Sequence, residues 1–370
     1  MKILQLGKFW PVMGGVEKVM FDLTQGLSDR GIECDMLCAA TYGPTQEISL
    51  NECGRVIATR SLLKAKSTMI SPAMVRLMRR IAPQYDIIHV HHPDPMAALA
   101  LYVSGYKGKV VLHWHSDILR QRMLLHIYRP LQDWLLQRAD VVICTSPNYA
   151  EGSDALQCVS GKLRCVPIGV EPIEAGGDGA RDILAQVGAR KLVFSLGRMI
   201  PYKGFDNLIH AADFLPDNYA VVIAGSGPLY APLHQLVIEK GLESKVIMPG
   251  RISNRDRDAL MGAASVFCLP SVEKTEAYGI VLIEAMSAGK PVVATEIPGS
   301  GTSWVNAHGV SGLNVPCGSP ERLAKAIVDV TSDPTTSEFY SSNARQRWEK
   351  LFTIGTFIDN ITGIYSRLLD

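Results

Sequence analysis

Short, almost continuously apolar runs rich in valine and isoleucine alternate with helix-length segments along nearly the whole chain, and the series runs twice. In the first half the runs are KILQL at 2–6, CDMLCA at 34–39, DIIHVHH at 86–92, KVVLHWH at 109–115, DVVICTS at 140–146 and LRCVPIG at 163–169. In the second half they are KLVFSLGR at 191–198, YAVVIAGSG at 219–227, KVIMPGR at 245–251, SVFCLPS at 265–271, PVVATE at 291–296 and GLNVP at 312–316. Strands of a parallel sheet covered by helices on both faces read this way. The pattern predicts an α/β chain of two doubly wound domains. A length of 370 residues supports two, because a single core stops growing below that size. The glycine- and acid-rich EPIEAGGDGA at 171–180 has no periodicity and reads as the break. The expected division is a first domain over 1–170, a linker over 171–190, a second domain over 191–350 and a terminal helical segment over 351–370.

With 47% hydrophobic residues, 20% charged residues and a net charge of +1, the chain is globular, and general nucleic-acid binding is not suggested. The opening MKILQL is interrupted by Gly7 and Lys8, far short of the roughly 20 apolar residues that span a bilayer, so a cytoplasmic chain is expected. Its eight cysteines are scattered without a C-x-x-C pair, which suits reduced thiols better than a zinc site. Charge is uneven, however: no acid falls between Glu52 and Asp86, while Arg55, Arg60, Lys64, Lys66, Arg76, Arg79 and Arg80 do. Within that stretch Met74, Leu77, Met78 and Ile81 recur at helical spacing. This is either a solvated helix face over a core or a surface that meets anionic lipid. DILRQRMLLHIYR at 117–129 repeats the mixture of arginine and large apolar residues.

In doubly wound sheets ligands bind beyond the carboxyl ends of the strands, and the chain places its motifs there. Gly14 and Gly15 follow the first strand and open a helical pattern, where a phosphate can approach backbone N–H groups. GRMIPYKGF follows the first strand of the second half and sets Arg198 and Lys203 in one loop, a pair of cations that suits a diphosphate. GSGP at 225–228 is a strand-end turn without the rest of a dinucleotide fingerprint, and no phosphate-binding P-loop sequence occurs. EKTEAYGIVLIEAM places Glu276 in a loop and Glu284 about one and a half turns into the helix that follows. A diphosphate could rest on the N–H groups near Tyr278 to Val281, with one carboxylate on each side.

The pattern E-x-[FY]-G-x-x-x-x-E at Glu276, Tyr278, Gly279 and Glu284, with GRMIPYKG, the early GGVE and HSD at 115–117, resembles the retaining GT-B transferases of glycosyltransferase family 4. The resemblance covers essentially the whole chain, most strongly about 190–330, and is greatest to bacterial O-antigen mannosyltransferases. It implies two Rossmann-like domains facing across a cleft, the first binding the acceptor and the second the nucleotide-sugar. It further implies that Gly14 and Gly15 border the donor diphosphate and that Arg198 and Lys203 bind it. By the same resemblance Glu276 would hold sugar hydroxyls, and backbone groups of Tyr278, Gly279, Ile280 and Val281 would meet phosphate. Glu284 would accept from the ribose, and His115 would face the transferred sugar. Tyr278 stands where phenylalanine is commoner. The implied reaction is front-face displacement with retention, with no divalent metal or other cofactor. In this fold the terminal helix crosses back to the first domain, here through Phe357, Ile361, Ile364, Tyr365 and Leu368.

The expected donor is GDP-mannose, with a UDP-sugar as the alternative. The expected acceptor is a glycan on a polyprenyl diphosphate, met by a peripheral protein at the anionic inner face of the cytoplasmic membrane. Three other readings compete. His89, His91, His92 and Asp94, with His113 and His115, lie at strand ends where alternate residues share a face, which would suit a metal-dependent hydrolase. The same fold serves sugar-nucleotide epimerases and phosphorylases, but nothing here resembles a pyridoxal lysine site. A non-catalytic nucleotide-sugar sensor keeps the fold and discards the chemistry.

Overall fold

The computed structural model describes every residue except Met13, Lys66, Ser67, Arg120, Gln121, Ala175 and Gly177, and leaves out the side chains of 65 and 122–125. Lys66 of the basic stretch and part of the 117–129 segment therefore lie outside the described residues. The chain divides into two units, one of Met1–Ile168 with Ile354–Asp370, the other of Gly169–Thr353. Residues 171–190, read as linker, fall in the second unit and carry the helix Arg181–Val187.

The first unit is built on β1 (Lys2–Trp10), β2 (Glu33–Ala40), β3 (Gln46–Asn51), β4 (Gly54–Thr59), β7 (Ile87–His92), β8 (Lys109–Trp114), β9 (Val141–Cys144) and β10 (Leu163–Cys165). A separate two-stranded ribbon joins β5 (Leu63–Ala65) to β6 (Thr68–Ile70). The main sheet runs β10-β9-β8-β7-β1-β2-β4-β3, parallel apart from β3, which pairs antiparallel with β4. Neither β3–β4 nor β5–β6 was legible in the sequence. QEISLN of β3 is an edge strand with its one acid, Glu47, exposed, and GRVIAT of β4 sits inside the stretch read for its charge. Arg55 of that stretch is a β4 residue paired with Asp35 at 3.3 Å and Glu47 at 2.9 Å.

The second unit holds β11 (Lys191–Leu196), β12 (Tyr219–Ala224), β13 (Val246–Gly250), β14 (Val266–Leu269), β15 (Val292–Glu296) and β16 (Gly312–Pro316), all pairs parallel, in the order β13-β12-β11-β14-β15-β16. Val193, Val221, Ile223 and Val293 meet Leu208, Leu323 and Ile327 in its core. Burying each such side chain contributes roughly 1.5–3 kcal/mol, which is why these strands are apolar on both faces. In each sheet the order reverses between two neighbours, β1 with β7 and β11 with β14. The loops that leave such a pair turn to opposite faces and open a crevice at the carboxyl edge.

The helix Ile354–Leu369 belongs to the first unit and buries Phe357, Ile361 and Tyr365 there. Gly26 on the helix Gly15–Ser28 permits this approach, because a Cβ at that position would stand 2.1 Å from Cδ1 of Ile358. Arg30 and Asp359 close the edge of the contact at 2.6 Å. Within this unit a layer of imidazoles comes from β7 and β8: His89, His91, His92 and His113 are fully buried and His115 nearly so. Register sets His91 beside His113, so residues two apart on each strand stack on one face.

Burial holds these five histidines neutral by lowering the pKa of each, to about 3 for His92 and His113. An unfolded histidine takes a proton as the pH falls through about 6.5, whereas the folded group refuses it until far lower, so acid favours unfolding. Linkage sets the loss between pH 7 and pH 5 at about 2 kcal/mol each for His92 and His113. The buried carboxyls of Asp22 and Asp94, raised by desolvation, pull the other way, and the five histidines outnumber them. The urea midpoint of the intact chain should therefore fall markedly between pH 7 and pH 5. A midpoint that does not move would show that these imidazoles are already open to protons.

Candidate functional site

The second unit brings together the loops that follow β11 and β14. After β11 the chain runs through Gly197, Arg198 and Met199 to a short 3-10 turn at Pro201–Lys203 and then Gly204, in the left-handed region at φ 62°. A Cβ on Gly204 would stand 2.2 Å from the Pro270 carbonyl, so only glycine lets this loop lie against the end of β14. The Val272 N–H donates to the Tyr202 carbonyl at 2.8 Å and fastens the two loops. The GSGP turn supports the same arrangement from the other side. A Cβ on Gly225 would stand 1.9 Å from the Gly197 carbonyl, and the Met199 N–H donates to the Ser226 carbonyl at 2.9 Å. Its glycines serve packing.

Lys203 is thereby delivered to Glu276. Its Nζ lies 2.5 Å from the Glu276 Oε2, and both side chains are about nine-tenths buried. Ser271 Oγ donates to the same oxygen at 2.9 Å. The Glu276 backbone carbonyl accepts from Ser300 Oγ at 2.5 Å, and the Gly301 N–H donates to the Ala277 carbonyl at 2.8 Å. Breaking a buried pair of this kind by removing one partner costs about 3–5 kcal/mol, because the charge left behind has no compensation. The ammonium has three N–H donors, so one directed at Glu276 leaves two for another acceptor. Arg198, in the same loop, is exposed, and no carboxylate pairs with it among the described residues.

Gly279, at φ 79°, is the N-cap of the helix Ile280–Ser287, and no side chain caps that end. The N–H groups of the first turn, Ile280 and Val281 among them, therefore face outward with the positive end of the helix dipole. Tyr278 turns into the core, edge-on to Phe352 with ring centroids 6.5 Å apart, so its backbone is what it offers a ligand. Glu284 lies on the half-exposed side of the helix, 3.9 Å from Arg257. Arg257 comes from the helix Asn254–Ala263, whose start is fixed by the reciprocal Ser253–Asp256 capping box. The two acids do not share a setting: Glu276 is buried and paired, Glu284 is accessible.

In the first unit Gly14 is the exposed N-cap of the helix Gly15–Ser28, and Glu17 folds back beneath it, its Oε2 lying 2.5 Å from where a Cβ of Gly14 would be. Near the end of β1, Lys8 adopts a left-handed backbone at φ 55°. Its N–H donates to the Asp94 carboxylate and its Nζ donates to the Pro93 carbonyl at 2.5 Å. His115 follows β8, its N–H donating to the His92 carbonyl at 3.1 Å and its Nε2 lying 2.9 Å from Nδ1 of His91.

Ring nitrogens of His89, His91 and His113 come within 4.8 Å of one another. The donors nonetheless suit a metal poorly. Both nitrogens of His91 are already engaged, with His115 and with Gln5 Oε1 at 2.8 Å. His89 and His91 stack within 10° of parallel, so their in-plane lone pairs run side by side instead of converging on one point, and among the described residues no carboxylate completes the set.

Ser271, Ser300, Arg257, Lys8 and Gln5 escaped the sequence reading. Only Arg257 carried a local signal, the capping box SNRD that begins its helix; Ser300, Lys8 and Gln5 are defined by partners distant in sequence, and Ser271 by a carboxylate five residues on that only the loop's fold turns back to it.

Residues 13–173 match the family described as Glycosyltransferase Family 4, and residues 179–347 match Glycosyl transferases group 1. The chain is 32% identical to O-antigen chain mannosyltransferase C of Escherichia coli over 100% of its own length and 99% of that protein. It is also 32% identical to D-rhamnosyltransferase WbpZ of Pseudomonas aeruginosa, covering 95% of this chain and 92% of the other. Among solved structures, Anabaena Alr3699/HepE in complex with UDP and glucose superposes with a TM-score of 0.77 at 22% identity, over 99% of both chains. The chain is a glycosyltransferase of the two-domain GT-B fold and belongs to family 4.

Proposed function

We propose that the chain transfers mannose from GDP-mannose, with retention, to a glycan carried on a polyprenyl diphosphate during O-antigen or related surface polysaccharide synthesis. The observation that carries this reading is the buried Lys203–Glu276 pair beside an uncapped helix start at the β11–β14 reversal. Such a site offers positive charge for a diphosphate and a fixed carboxylate for hydroxyls. In the reaction, bond breaking at the anomeric carbon builds negative charge on the leaving diphosphate. Arg198, the two remaining Lys203 donors and the N–H groups from Gly279 to Val281 stabilise it, each charge-assisted hydrogen bond contributing roughly 1.5–3 kcal/mol. These cations make a divalent metal unnecessary, and the leaving diphosphate oxygen takes the proton of the acceptor hydroxyl. Glu276 orients sugar hydroxyls and is not a covalent nucleophile, since its Oε2 is occupied by Lys203 and Ser271. Glu284 accepts from ribose hydroxyls, Gly14 and Gly15 border the diphosphate, and His115 serves the transferred sugar.

Two relatives bear on the donor. One is named a mannosyltransferase and the other a D-rhamnosyltransferase, and D-rhamnose is mannose without its 6-hydroxyl. A 6-deoxy donor is therefore the second reading. Nucleotide release from a panel of GDP- and UDP-sugars should be fastest with GDP-mannose; turnover only with a UDP-sugar would refute the mannose assignment. In the same assay Glu276→Ala should abolish transfer, whereas Glu284→Ala should raise KM for the donor about 10- to 100-fold with a smaller change in kcat. Small, equal effects would remove both acids from the donor site.

For the acceptor side, the helix Pro72–Ile81 points Met74 and Met78 into the core and leaves Arg76, Arg79 and Arg80 exposed. Leu62, Leu63 and Ile127 are also exposed. No helix among the described residues is long and apolar enough to cross a membrane. Contact with the inner face of the cytoplasmic membrane would then be peripheral and charge-driven, made by arginines and a few surface leucines. Binding to anionic liposomes should be strong at low ionic strength and weaken as salt is raised. No binding at low salt would remove the membrane from the account.

A further inference from the structure

The buried polar groups under the helix Ile354–Leu369 form a continuous chain of hydrogen bonds that ends at His115. Gln5, on β1, approaches the Tyr365 hydroxyl with Nε2 at 3.0 Å and Cys34 Sγ with the same nitrogen at 3.7 Å. With Nε2 on these two groups, the amide oxygen Oε1 lies 2.8 Å from His91 Nε2 and in this orientation accepts from it. His91 then carries its proton on Nε2 and offers the Nδ1 lone pair, 2.9 Å from His115 Nε2. The Tyr365 hydroxyl, having accepted from Gln5, turns its own hydrogen to His89 Nδ1 at 2.5 Å. Every group in the series is buried, and desolvation holds both His91 and His115 neutral. A neutral imidazole has one proton and two places for it, and the partner of one nitrogen decides the other.

We infer that Gln5 and His91 are positioning residues that fix His115 as its Nε2–H tautomer. The juxtaposition of β1, β7, β8 and the terminal helix leaves Nδ1 of His115 as an acceptor, suited to a hydroxyl of the transferred sugar and unsuited to a bare oxygen. This deepens the transferase reading and rests on His115 serving the sugar. It also ties the far end of the sequence to that residue, since Tyr365 holds the amide that sets the direction of every bond.

Long-range proton–nitrogen NMR on the intact protein with nitrogen-15-labelled histidine reads the tautomer without any turnover. His115 should show a protonated Nε2 and a bare Nδ1; the opposite assignment in the wild type overturns the inference by itself. Gln5→Leu removes the acceptor and should convert His115 to a mixture of tautomers. It should also lower kcat for GDP release from GDP-mannose by about 10- to 100-fold, with GDP affinity unchanged. Gln5→Glu keeps an acceptor and should restore the Nε2–H form and most of the rate. Should Gln5→Leu fail to fold, Tyr365→Phe tests the same point by freeing the amide to turn. A folded Gln5→Leu or Tyr365→Phe variant with a single unchanged tautomer or a kcat within twofold of wild type contradicts the positioning role. A wild type that releases no nucleotide from any donor instead contradicts the transferase reading, and the spectrum still decides the tautomer.

Discussion

The contact between Lys203 and Glu276, 2.5 Å long and about nine-tenths buried, is the interaction to which most of the second unit's local architecture is directed. Neither charge is tolerable there alone. Each feature around the pair serves to bring it together: glycine at 204 so that the β11 loop can touch Pro270, glycines at 225 and 227 so that the next turn can back it, and Ser271 and Ser300 to satisfy the carboxylate and its backbone. The pair is also incomplete, since the ammonium has donors to spare and the exposed Arg198 stands on the same loop. A structural ion pair with unused cationic capacity is a prepared place for an anion.

Both units obey the same topological constraint. A sheet whose order reverses sends successive crossovers to opposite faces, and the gap between the diverging loops is where backbone N–H groups, helix starts and short polar side chains gather. In the second unit that gap holds Lys203, Glu276 and the Ile280–Ser287 helix start. In the first it holds the strained Lys8 with Asp94 and the Gly14 helix start, with the histidines of β7 and β8 beside them. The first unit invests in buried imidazoles where the second invests in a charge pair. Neutral, hydrogen-bonded rings set direction without setting charge, which suits uncharged sugar hydroxyls better than phosphate.

The strands were legible because burial on both faces leaves a continuous apolar signature, and the motifs were legible because glycine and charge at strand ends are rare enough to notice. What failed to show has a common physical cause. Arg55 read as one more member of a solvated basic run, yet β3 and β2 supply Glu47 and Asp35 to it. GSGP read only as a strand-end turn, yet its glycines answer to Gly197 and Met199. Spacing that places His89, His91 and His113 on one face made them candidate ligands in a competing reading, but spacing says nothing of ring orientation or of Gln5. Lys203 read as a ligand for phosphate alone, with its partner hidden on another loop. Pattern conveys period and position; partners belong to the folded chain.

The central claim is that the β11–β14 reversal receives the donor diphosphate through Lys203, Arg198 and the start of the Ile280–Ser287 helix, with Glu284 at the ribose. A crystal structure of the protein with GDP tests it most directly. The account predicts diphosphate oxygens within hydrogen-bonding distance of Lys203 Nζ and the N–H groups of Ile280 and Val281, with Lys203 still touching Glu276 and the ribose hydroxyls on Glu284. GDP bound with its diphosphate elsewhere, or with Lys203 turned away from it, would contradict the account.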